Sequence, residues 1–115
     1  MQNYDKAYEL AREMHESDLY KNYCAAKEKA FANELNRDLY KKFVSISRAV
    51  NAAQLAGQQP SEELQQQFNQ LMSVLALNPD VSNFMMAEHL LNQMMSDVFK
   101  ILADAVDLNL DFLEQ

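Results

Sequence analysis

From Asn78 to Val106 the chain reads NPDVSNFMMAEHLLNQMMSDVFKILADAV, without a glycine and with a single proline at its start. Nothing in it turns the backbone, so the stretch predicts one long helix. Phe84, Leu91, Met95, Val98 and Leu102 follow one seam of that helix, and Met86, Leu90, Met94, Ile101 and Ala105 follow a neighbouring one. Apolar residues spread over most of a helix circumference have to be covered from more than one side. The stretch therefore predicts a central rod, packed by the other helices and by a second copy of the chain.

The rest of the sequence is equally poor in turn formers. One Gly and two Pro in 115 residues leave little room for sheets with tight turns. Ala, Leu, Gln, Glu, Met and Lys are good helix formers. The expected fold class is all-α, an antiparallel bundle of about five helices in a single domain spanning 1–115, with the tail 107–115 frayed. In chain order the helices are expected at Asn3–His15, Asp18–Asn33, Arg37–Ala56, Glu62–Leu77 and the long rod. Ser17, Ser61 and Asn78 are the expected caps, Asn36 caps the third helix, and Gly57 ends it. Leu39, Phe43, Ile46, Val50 and Ala53 step by four, three, four, three, a heptad seam suited to packing at a shallow angle. In the first helix Tyr4, Ala7, Tyr8, Ala11 and Met14 share the face expected to pack. In the second, Tyr20, Tyr23, Cys24, Ala30 and Phe31 do. In the fourth, Leu64, Phe68, Leu71, Met72 and Leu75 are apolar, opposite a solvated face of Gln65, Gln66, Gln67 and Gln70.

Charge narrows the function. Residues 1–50 carry nine bases against eight acids, and residues 51–115 carry only Lys100 against nine acids, for a net of −7. An acidic surface argues against general nucleic-acid binding. It also argues against an anionic membrane surface. Direct RNA contact through Lys21, Lys27, Lys41, Lys42 and Arg48 is the weaker reading, because those bases alternate with acids. There is no run of 18 apolar residues for a transmembrane helix and no signal-peptide pattern, so the expected location is cytoplasmic.

Catalytic and ligand-binding patterns are sparse. One glycine cannot build a phosphate-cradling loop. Cys24 reads as a small buried hydrophobe. His15 and His89 belong to no His-x-x-x-His or Glu-x-x-His pair, so neither a metal nor another cofactor is expected. A lone carboxylate is not a catalytic centre, and the chain is expected not to be an enzyme. Two readings stand for Glu88, within the crowded face of the rod: an ion pair or a rim position, against a polar contact that fixes register across a helix interface. Met72, Met85, Met86, Met94 and Met95 either fill a core or form an adaptable binding surface. The candidate interface is Phe84, Met86, Leu90, Leu91, Met94, Met95, Val98 and Leu102. The alternative is a small-molecule or metal pocket near Glu88 and His89.

Asn78-Pro79-x-Val81-x-x-Phe84-x-x-Ala87-Glu88-x-x-Leu91, with Ser17, Tyr20, Tyr23, Asp38, Phe43, Gln54 and Gly57 before it, resembles the YlbF/YmcA/YheA-type family of small helical bacterial proteins. The resemblance runs from about Ala7 to about Val106. It implies an all-helical cytoplasmic protein that self-associates, as a homodimer or with family relatives. It also implies a regulatory role in which some members, with partner proteins, modulate ribonuclease Y and so mRNA processing. The regulatory members carry a cysteine-bearing C-terminal extension linked to iron–sulfur clusters. Here the tail is short, acidic and free of Cys, closer to the short members without a settled function.

Overall fold

A computed structural model describes residues 2–108, with side chains from Tyr4 onward. Five helices follow one another: α1 (Gln2–His15), α2 (Asp18–Phe31), α3 (Glu34–Leu55), α4 (Glu62–Ala76) and α5 (Pro79–Ala105). No strand occurs among the described residues. The expected long C-terminal helix is present; of the tail expected at 107–115, Asp107 and Leu108 follow the end of α5, and 109–115 lie outside the described residues.

The helices begin where short polar side chains take up orphan backbone donors. Ser17 Oγ accepts from the Tyr20 amide at 3.2 Å. Ser61 Oγ accepts from the Leu64 amide at 3.1 Å. Asn78 Oδ1 accepts from the Val81 amide at 3.1 Å, with Pro79 and Asp80 in the first turn where proline geometry and the helix dipole favour them. One expected cap is displaced. Asn33, not Asn36, caps α3, because its Oδ1 accepts from both Leu35 and Asn36 amides, at 2.8 and 3.3 Å. The break between α2 and α3 is therefore a two-residue turn, and α3 starts three residues earlier than the pattern suggests. At its other end Gly57 takes φ +74°, a left-handed conformation that glycine adopts without steric cost. It brings the Gln58 amide onto the Ala53 carbonyl at 2.9 Å.

Ile46, Leu71, Leu75 and Val81 are the buried centre where α3, α4 and the start of α5 meet, with Leu39, Phe43, Val50, Leu64 and Phe68 packed around them. The heptad seam of α3 is thus its core face, as expected. Along the other side of the molecule α2 lies on α5. Lys29 pairs with Asp80 at 3.6 Å while Tyr23 meets Phe84 further along α5, so the two helices run antiparallel.

Asn78 ties the start of α5 to the start of α3. Besides capping α5, its Nδ2 donates to Asn36 Oδ1 on α3 at 2.8 Å. Replacing Asn78 by Ala removes the cap and this cross-helix bond, and is expected to lower unfolding stability by about 1–2 kcal/mol in urea titration.

The chain is flat. Its principal extents are 52 × 37 × 17 Å and its radius of gyration is 17.6 Å. A compact chain of this length has a radius of about 13 Å. Its accessible surface is 9142 Å², where a folded monomer of this mass exposes about 6,500 Å².

The apolar face expected to pack in α1 is not covered. Tyr4 is 57% and Tyr8 70% exposed, Ala7 and Ala11 are exposed, and only Met14 is half-buried. The periodicity that marks this face is real, but among the described residues α1 contacts only α2. Cys24 is also exposed rather than buried. It lies six residues before Ala30 and about 240° round the helix from it, so it falls away from that buried face.

A candidate protein-interaction surface

Phe84 is the point on which the long helix is set. Its side chain is 1% exposed. Three rings from two other helices close on it: Phe31 at 5.1 Å and Tyr40 at 4.9 Å edge-on, and Tyr23 at 5.7 Å. Edge-to-face rings at such distances gain beyond the area they bury. Lys27 and Arg37 lie 6.0 and 5.8 Å from the Phe31 ring, covering the solvent side of the cluster with cations over a π face. Phe84 was an expected interface residue on sequence. The structure corrects this: its ring is used up inside the chain.

One turn on, Glu88 is half-buried and receives the Tyr40 hydroxyl, 2.8 Å from Oε1 and 2.7 Å from Oε2. Burial, followed by this bond to the carboxylate, pushes the Tyr40 phenol well above its ordinary 10.0, with Arg48 opposing. The contact pins α3 to α5 at one rotational setting. Tyr40 escaped the sequence analysis because it lies outside the heptad seam of α3. The only signal for it was a tyrosine flanking that seam opposite an apolar face that carries a carboxylate.

Glu88 and His89 are neighbours in sequence but face different surroundings. Glu88 points to Tyr40. His89 lines a shallow apolar groove of about 300 Å³ with Met72, Leu75, Ala76, Met85 and Met86. The structure therefore does not bring them into one pocket, because adjacent residues on a helix diverge by about 100°. No group of three or more His, Cys, Asp or Glu is placed to hold a metal among the described residues.

The remaining interface candidates divide by exposure. Leu91, Met94 and Val98 are half-buried. Met86 at 60%, Leu90 at 44%, Met95 at 43% and Leu102 at 57% stay exposed. Met95, Phe99, Leu102 and Val106 step by four, three, four and form one uncovered apolar stripe. Phe99 and Val106 were missed on sequence because the seam was traced through Val98, which belongs to the covered side. The step 95–99–102–106 was the available signal.

These features define a class: an all-α protein with its polar contacts spent on holding helices in place and long apolar helix faces left open. The chain belongs to the family described as control of competence regulator ComK, YlbF/YmcA, whose model matches residues 3–107. Among proteins it is similar to, a UPF0342 protein of Clostridium tetani is 35% identical over 112 residues, 97% of each chain. A UPF0342 protein of Caldicellulosiruptor saccharolyticus is 34% identical over 105 residues, 91% of this chain and 88% of the relative. A chain of the X-ray structure of Bacillus subtilis RicA in complex with RicF superposes with a TM-score of 0.61 at 22% identity, over 92% of this chain and 94% of that one. That likeness is one of fold. No helix among the described residues is long and apolar enough to cross a membrane.

Proposed function

We propose that this protein is a non-catalytic regulator that works by binding other proteins, a second copy of itself included, through the open apolar faces of α5. The observation that carries the reading is the uncovered stripe Met95–Phe99–Leu102 in heptad register on the end of α5, continued by Val106 at its C-cap. Helix faces of this kind are filled by other helices. The family described as control of competence regulator ComK supports a regulatory role. A fold relative is a chain of the complex of RicA with RicF, which supports a protein partner. The finer reading is that the regulated process is ribonuclease Y-dependent mRNA processing in the cytoplasm, as the family resemblance implies. In the same reading Glu88 serves as the register contact that sets which face of α5 is presented.

The test is capture of the tagged chain after mild crosslinking in its native cells, beside a Leu102→Asp variant. Capture of helical family relatives or ribonuclease Y by the native chain, lost in the variant, is the expected result. Equal recovery by both chains overturns the use of this stripe. Leu102 is more than half exposed, so the charge does not disturb the fold of the isolated chain. A charge buried in a helix interface is expected to weaken self-association by at least about 2 kcal/mol, roughly thirtyfold in Kd, in sedimentation equilibrium.

A further inference from the structure

Two apolar stripes on this chain have the same shape and neither is covered. Tyr4, Tyr8 and Ala11 step by four and three along α1 and are exposed, and at the next step of four His15 lies against Tyr20 at 4.8 Å. Met95, Phe99, Leu102 and Val106 repeat that step at the far end of α5. Each runs about 16 Å along its helix. Heptad-spaced stripes pack side by side at a shallow angle. Within one chain they do not meet, because α1 touches only α2 among the described residues. A helix of 14 residues that packs on so little is marginal in water, since helices of this length take most of their stability from a packed face.

We propose that the partner is a second copy of this chain, and that α1 of each protomer lies across the C-terminal half of the other protomer's α5. This rests on the self-association reading above and names the surfaces it uses. Two different stripes on one chain can pair reciprocally across a two-fold axis, so that both contacts are made at once and neither stripe is left open. The area agrees. The chain exposes about 2,700 Å² more than a compact monomer of its mass. Permanent dimers bury roughly 1,000–2,500 Å² on each partner. A stripe-to-stripe contact also explains the flat outline, since the second protomer supplies the missing thickness.

The experiment mixes two full-length chains, both carrying Cys24→Ser, one with Tyr8→Cys and the other with Phe99→Cys. They are joined by a short bismaleimide, with the native mass read by light scattering. Both positions are exposed, and circular dichroism checks that each variant keeps its helix content. The expected result is a dimeric chain with a crosslink joining Cys at 8 to Cys at 99 in the mixture, and little product from either variant alone. A dimer that crosslinks between two copies of Phe99→Cys, or one that gives no mixed product, overturns the α1-on-α5 arrangement and leaves self-association standing. A native chain that stays monomeric at 100-fold dilution above and below working concentration overturns both. As a measurement without substitutions, amide exchange in α1 is expected to slow at least tenfold as the dimer forms. Unchanged exchange in α1 while the mass doubles counts against the proposal.

Discussion

Phe84→Ala is expected to lower the unfolding free energy by about 3–5 kcal/mol, which is a large share of the roughly 5–15 kcal/mol that holds a domain of this size. The ring is 1% exposed and meets Tyr23 and Phe31 from α2 and Tyr40 from α3. Truncation removes its transfer energy and three ring contacts, and leaves a void. The void does not close easily, because Phe31 and Tyr40 sit on helices held elsewhere. Asn33 caps α3 just after Phe31, and Glu88 holds the Tyr40 hydroxyl. Urea unfolding followed by circular dichroism gives the value, at one fixed protein concentration so that association does not enter the comparison. Met86→Ala is the control: its side chain is 60% exposed, so its effect on the isolated chain is expected within about 0.5 kcal/mol. If the two variants lose equal stability, Phe84 is not the anchor of α5.

The contrast between Phe84 and Met86 also marks what could be read without coordinates. Helix number, order and most boundaries followed from caps and spacing, because capping and heptad periodicity are local. Ser17, Ser61 and Asn78 act within three residues of themselves. The core seam of α3 followed from the same locality. The seams of α5 were also visible, but periodicity says only that a face is apolar and not what covers it. Phe84 was assigned to an interface and lies in the core. Tyr4 and Tyr8 were assigned to a packed face and lie open. Which it is depends on where α2 ends along α5, a matter of two helix lengths and one antiparallel offset, set by contacts such as Lys29 with Asp80 that are distant in sequence. Asn33 was misread for a different reason. Asn33 and Asn36 are both good caps, and the choice is made by the backbone amides each one reaches.

Stability is expected to fall as pH rises above 10, and Tyr40→Phe is expected to remove much of that slope. The Tyr40 phenol is held above its ordinary 10.0 in the folded chain, first by burial and then by its bond to Glu88. The unfolded chain loses this proton near 10 while the folded chain keeps it. Above 10 the folded state therefore binds more protons than the unfolded state, and stability declines with pH. Below 10 both states hold the proton, and the contribution is present in full. A phenolate formed at Tyr40 would face the Glu88 carboxylate 2.7 Å away and break the link between α3 and α5. At pH 7, Tyr40→Phe leaves a half-buried carboxylate without its donor, and is expected to cost about 1.5–3 kcal/mol. Other tyrosines and lysines titrate in the same range, so the informative quantity is the difference in slope between native and Tyr40→Phe chains from pH 9 to 11. Glu88→Gln separates the two causes: it keeps an acceptor for the hydroxyl but removes the negative charge, so the slope is expected to shrink while the neutral-pH loss stays below that of Tyr40→Phe. Identical slopes in all three chains would mean that the pair does not set this dependence. In that case the two helices would be held in register by the Phe84 rings, the Asn78–Asn36 bond and the core around Val81.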